Sequence, residues 1–139
     1  MTKPFVDSNV VLYLLSGDVA KADRVQDILA RGAVISVQVL NEVTSVCLRK
    51  LKMPWQEVDA LLMALKASCD IVPLTVASHE TAVALAKQYQ LSFYDAHIVA
   101  SAALSGATTL MTEDMHAGLR VDNLVLQNPF KRSTPQKSP

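Results

Sequence analysis

A chain of 139 residues and 15.1 kDa, half of it hydrophobic, is long enough to bury one core without disulfides or a structural metal; one domain over residues 1–130 is expected, followed by a polar tail over 131–139. Thirteen Lys and Arg balance thirteen Asp and Glu, which excludes the strong global basic footprint of many nucleic-acid binders, although four acids gathered in one place would leave nine facing those thirteen bases. No apolar run is longer than Val10–Leu15, which falls far short of the about 18–20 residues that span a bilayer. MTKPFVDSN has no secretory h-region, so a cytoplasmic protein with no membrane partner is expected.

In chain order, Phe5-Val6 reads as a short strand, Asp7 as a turn, and the apolar stretch closed by Gly17 as a short helix. Residues 19–30 place Val19, Ala22, Val25, Ile28 and Leu29 at helical spacing, and Gly32 ends that run. AVISV (33–37) is a β-branched strand whose Ser36 suits the N-cap of a helix over 37–51. Pro54 fits the first turn of the helix WQEVDALLMALKAS, DIVPL (70–74) is a third strand, and a helix follows over about 76–90. Phe93-Tyr94-Asp95 opens an alanine-rich helix that Gly106 ends; TTLMT (108–112) and LVLQN (124–128) complete five strands. Short apolar strands alternating with helices predict an α/β domain of three layers, with a mostly parallel five-stranded sheet. The tail KRSTPQKSP is polar and proline-bearing and reads as a disordered end.

Sheets of this kind bind ligands at the carboxyl ends of their strands. Asp7 sits just past the first strand, where it either caps the next helix or serves as an oxygen ligand for a hard cation. Glu42 lies on a polar stripe with Gln38, Asn41, Ser45 and Arg49, a solvated face that nevertheless starts within two turns of the second strand's end. Asp95 reads as a helix cap and Asp114 as a turn residue, each unremarkable alone. Glu113 reads as an exposed neighbour, with a helper role at the site as the alternative, while the Thr112 hydroxyl suits orienting a carboxylate or a metal-bound water. Four carboxylates at one sheet edge repel by about 4 kcal/mol per pair at 4 Å and an effective dielectric near 20. Divalent cations remove that penalty, polarise a phosphodiester and lower the pKa of an attacking water.

FVDSNV, LNEV and YDAHIVASAALSGATTLMTED together resemble the PIN-domain ribonucleases, and more closely the VapC-like toxins of type II toxin–antitoxin modules. The likeness runs over nearly all of residues 4–130 and is most specific in DAHIVASAALSGATTLMTEDMHAG. It implies a divalent-metal-dependent endoribonuclease using Mg²⁺ or Mn²⁺, with the acids at Asp7, Glu42, Asp95 and Asp114 as catalytic metal ligands and Asn9 and Thr112 in support. Met115 and His116 stand where some members carry a further acid. The resemblance also implies an RNA substrate, a cognate antitoxin and a homodimer. Water attack in line would leave a 5′-phosphate and a 3′-hydroxyl without using the 2′-OH, so the choice of RNA comes from the resemblance.

Arg49, Lys50 and Lys52 suit either a helix-dipole cap or a phosphate-tracking strip for RNA, and Lys131, Arg132 and Lys137 carry the same ambiguity. His79, His97 and His116 lack zinc spacing and read as surface or helix-end residues, Trp55 as core or rim, and Cys47 and Cys69 as reduced core residues. Two other classes compete. A non-catalytic PIN-like interaction module would have no reason to keep four repelling acids. An aspartyl phosphotransferase would use Asp7 as nucleophile but usually carries an acid two residues on, where Asn9 stands.

Overall fold

A computed structural model describes residues 2–131. Of the polar tail, only Lys131 falls among them; Arg132 and Lys137 lie outside the described residues. The strands are β1 (Phe5–Val6), β2 (Ala33–Ser36), β3 (Cys69–Val72), β4 (Thr109–Met111), β5 (Arg120–Val121) and β6 (Leu124–Gln127). The helices are α1 (Ser8–Val11), α2 (Val19–Arg31), α3 (Val37–Arg49), α4 (Trp55–Ser68), α5 (Val76–Tyr89) and α6 (Phe93–Leu104), with a 3-10 turn at Leu12–Leu15.

The sheet runs β3-β2-β1-β4-β6-β5, all parallel except β5 against β6. The expected three-layer α/β/α architecture is present, with six strands rather than five. The extra strand is a two-residue edge piece with one buried side chain, Val121, turned back onto Leu124 by Asp122 at φ 53° and Asn123. So short a segment has no alternation to read in the sequence.

Local chemistry sets the element ends. Ser36 accepts a bond from the Val39 amide and caps α3, and Asp18 does the same for α2 through the Lys21 amide. Pro54 is the N-cap of α4, one position before its first turn. Gly32 and Gly106 take φ values of 106° and 83°, which a β-carbon would strain, and they close α2 and the turn after α6. β1 is buried on both faces, as a parallel central strand must be. Helix α6 is buried almost all round, from Ala96 to Ala102, and its small side chains let α5 pack along it.

The chain builds β1, β2 and β3 outward in one direction, then returns to place β4 on the other side of β1. The order therefore reverses between β1 and β4, and a crevice opens beyond their carboxyl ends.

Candidate functional site

Asp7 leaves β1 at that crevice and is 4% exposed. Its Oδ1 accepts the Ser8 amide at 2.7 Å, capping α1, while Oδ2 accepts the Thr112 hydroxyl at 2.8 Å and Asn9 Nδ2 at 3.2 Å. The cap role and the cleft position thus coexist in one carboxylate. Thr112 comes from the adjacent strand end, tied to β1 by the Asp7 amide bonding the Met111 carbonyl at 2.9 Å.

Ser8 carries the next link. Its hydroxyl donates to Glu42 Oε1 at 2.6 Å, far shorter than its 3.4 Å approach to Asp7 Oδ1, so the single proton is committed to Glu42. Gln38 Nε2, one turn earlier on α3, donates to Glu42 Oε2 at 2.9 Å. Glu42 is half-buried and held at both oxygens, so it is not part of a loose solvated face.

Asp95 is the third residue of α6 and does not cap it. Ser92 is the cap, accepting the Asp95 amide at 3.2 Å. An acid inside the first turn faces the positive end of the helix dipole. Asp114 stands exposed on the turn after β4 and shares with Asp95 a cavity of about 430 Å³, also lined by Tyr89, Ser92 and His116.

Electrostatics tie the four acids together. Burial pushes the Asp7 carboxyl from its ordinary 3.8 up to about 6; the Thr112 and Ser8 bonds pull it down, and the charges of Glu42 and Asp95 push it further up. Asp95 is raised by burial and by Glu42 and Asp114, against a lowering bond from Ser92. Among the described residues, no three His, Cys, Asp or Glu side chains close into a preformed ligand cage. An all-oxygen donor set under mutual repulsion fits a hard cation that keeps several waters and touches one or two carboxylates directly.

A PIN-domain family model matches residues 5–118. The chain belongs to the PIN-domain family. No curated protein matches it. Among solved structures, this PIN domain resembles a toxin–antitoxin complex from Klebsiella pneumoniae at TM-score 0.71 and 23% identity, covering 92% of this chain and 98% of that one. It also resembles VapBC2 from Rickettsia felis bound to a DNA fragment from their promoter, at TM-score 0.66 and 19% identity over 89% and 96% of the two chains. The sarcin–ricin-loop cleaving toxin VapC20 of Mycobacterium tuberculosis is similar at TM-score 0.61 and 19% identity, over 79% of this chain and 88% of that one. At these identities the likeness is one of fold.

Other candidate residues fall elsewhere in the PIN domain. Arg49, Lys50 and Lys52 are exposed at the far end of α3; Arg49 lies about 10 Å along the axis beyond Glu42, outside the acid cluster. His97 is not a surface residue: it is 6% exposed, its Nε2 lies 3.3 Å from the Ser78 hydroxyl, and burial together with His79 lowers its pKa. His79 and His116 are exposed, and Trp55 is a rim residue, 60% exposed. Cys47 and Cys69 are free thiols in the core.

Two side chains that hold the acids, Ser8 and Gln38, were given no role in the sequence reading. Both had readable signals, one adjacent to Asp7 and the other one helical turn before Glu42. Glu113, expected as an exposed neighbour with a helper role as the alternative, is half-buried, accepting Tyr13 Oη at 2.6 Å and Lys21 Nζ at 2.7 Å, and these partners hold its carboxyl below the usual range. Among the described residues no helix is long and apolar enough to cross a membrane.

Proposed function

We propose that this PIN domain is an endoribonuclease dependent on Mg²⁺ or Mn²⁺ and the toxin of a toxin–antitoxin pair, with Asp7, Glu42, Asp95 and Asp114 as its metal-holding acids. The observation that carries the reading is the buried Asp7 carboxylate at the β1/β4 switch point, facing the charges of Glu42 and Asp95. Unrelieved, that arrangement costs stability; a divalent cation turns it into a binding site. RNA as substrate and an antitoxin as partner are supported by structural neighbours described as toxin–antitoxin complexes and, in one case, as a sarcin–ricin-loop cleaving toxin. Homodimerisation and a cytoplasmic setting belong to the same reading, as does a catalytic domain contained in residues 1–130.

A bound divalent cation supplies positive charge against the phosphodiester and a water of lowered pKa. The chain supplies orientation. Ser8, Thr112 and Asn9 each donate to Asp7, which keeps that carboxyl an acceptor on two sides. Ser8 and Gln38 hold Glu42 at both oxygens, and the first turn of α6 favours the ionised form of Asp95. Asp114 reaches in from the opposite wall. Arg49, Lys50 and Lys52 are candidate phosphate contacts for an RNA strand running past the acid cluster, not for the scissile phosphate.

The test is cleavage of a panel of tRNA, rRNA and mRNA with Mg²⁺, Mn²⁺ or EDTA, by wild type, Asp7→Asn and Asp95→Asn. Metal-dependent cleavage that disappears in both variants is expected, with 5′-phosphate ends. A folded, antitoxin-free protein that cuts none of these RNAs and gains no thermal stability from Mn²⁺ would instead be a binding module.

A further inference from the structure

Resting on that reading of the acid cluster, we propose that Glu113 is a positioning residue whose side chain, locked to Lys21 and Tyr13, orients Asn9 and the Thr112–Asp114 turn toward the metal site.

Thr112, Glu113 and Asp114 are consecutive, and the outer two are turned to the cleft. Glu113 is turned the other way. Tyr13 Oη donates to its Oε1 at 2.6 Å and Lys21 Nζ to its Oε2 at 2.7 Å, so both oxygens are engaged. The ammonium has further partners: it bonds Tyr13 Oη at 3.2 Å and lies 4.5 Å from the centre of the Tyr13 ring and 4.9 Å from that of Phe130. Those two rings meet edge to face at 4.9 Å. The 3-10 turn, α2 and the segment after β6 thus converge on one ion pair.

The main chain of the same residue acts on the site. The Glu113 amide donates to Asn9 Oδ1 at 3.2 Å, which leaves Asn9 Nδ2 as the end that meets Asp7 Oδ2. Were that amide reversed, Asn9 would set an oxygen against the Asp7 carboxylate, and a donor to the central acid would become a repulsion. Asp114 follows Glu113 directly and, among the described residues, makes no side-chain hydrogen bond, so its reach depends on where the turn is pinned.

The competing role for Glu113 is that of a fifth metal ligand, but an ammonium already 2.7 Å from its carboxylate would repel a divalent cation there. The two roles predict opposite results. Mn²⁺ alone is titrated into the full chain by calorimetry, with RNA cleavage and melting temperature followed in parallel. If Glu113 positions the site, Lys21→Met and Glu113→Gln each weaken Mn²⁺ binding about tenfold. In that case kcat falls while KM for RNA stays nearly constant, and Lys21→Arg restores most of both.

Unchanged Mn²⁺ affinity in a folded Lys21→Met protein would overturn the proposal, as would a lower melting temperature with the affinity intact. Tighter Mn²⁺ binding in Lys21→Met would overturn it in favour of a ligand role for the freed carboxylate. Wild type that binds no Mn²⁺ would remove the nuclease reading and the proposal with it; wild-type binding lost in Asp7→Asn but untouched by Lys21→Met retires the positioning role alone.

Discussion

The two walls of the acidic cleft are built differently. On the β1 side, Asp7 and Glu42 are buried or half-buried and joined through Ser8, with Thr112, Asn9 and Gln38 completing the network. On the other side, Asp95 and Asp114 line an open cavity, where Ser92 is the hydrogen-bond partner of Asp95. The first wall is organised by the protein before any ligand arrives. The second is more open, with the Asp114 carboxylate exposed to water and ligand on its turn, so losses on the two sides should differ in size.

The largest difference is expected in cleavage. Asp7→Asn should cost on the order of 10³-fold in kcat, since it removes preorganised charge at the centre of the site. Asp114→Asn should cost roughly 10–100-fold, because water can replace an exposed ligand. Single-turnover RNA cleavage measures both, and equal losses would erase the distinction between the walls.

Next comes pH. The folded Asp7 carboxyl, raised from 3.8 to about 6, keeps a proton that the unfolded chain has already released. Stability of the metal-free protein therefore falls as pH rises through that window, and the full deficit, on the order of 2–3 kcal/mol, is present above it. Urea unfolding from pH 4 to 7 should show this slope in wild type and not in Asp7→Asn. Mn²⁺ at a hundredfold excess over its Kd should restore about 2.7 kcal/mol at pH 7. A wild-type slope identical to that of the variant would mean that water relieves the carboxylate after all.

The smallest effect tests the bridge. Ser8→Ala should lower stability by about 1 kcal/mol and activity by a few-fold, through loss of the bond to Glu42. Denaturant unfolding alongside initial cleavage rates measures both, and an activity loss as large as that of Asp7→Asn would make Ser8 more than a brace.

Sequence legibility divides along related lines. The strand–helix alternation was readable because each element carries its own period and punctuation: Ser36 before α3, Gly32 after α2, Gly106 after α6. Asp7 and Asp114 follow strand ends, where a sheet of this kind places its crevice, whereas Glu42 inside α3 and Asp95 inside the first turn of α6 carry no such boundary mark. What could not be read depends on distant partners. Tyr13 and Glu113 stand 100 residues apart, and nothing local marks either as half of a pair. His97 looks polar in sequence, yet it is buried on an alanine-rich helix and meets Ser78 of α5. Asp95 resembled a cap because Asp and Ser share that chemistry; Ser92, three residues earlier, had the better position.

The two borders of the sheet bear on how this molecule can associate. One border is β5, only two residues long, and the other is β3, where Asp70 is tied to Lys3 at 3.0 Å. A stub and a charged rim are poor templates for strand addition, which discourages fibrous, edge-to-edge growth. Any stable companion is therefore expected to grip the helical layers, where its contacts can be specific and can end.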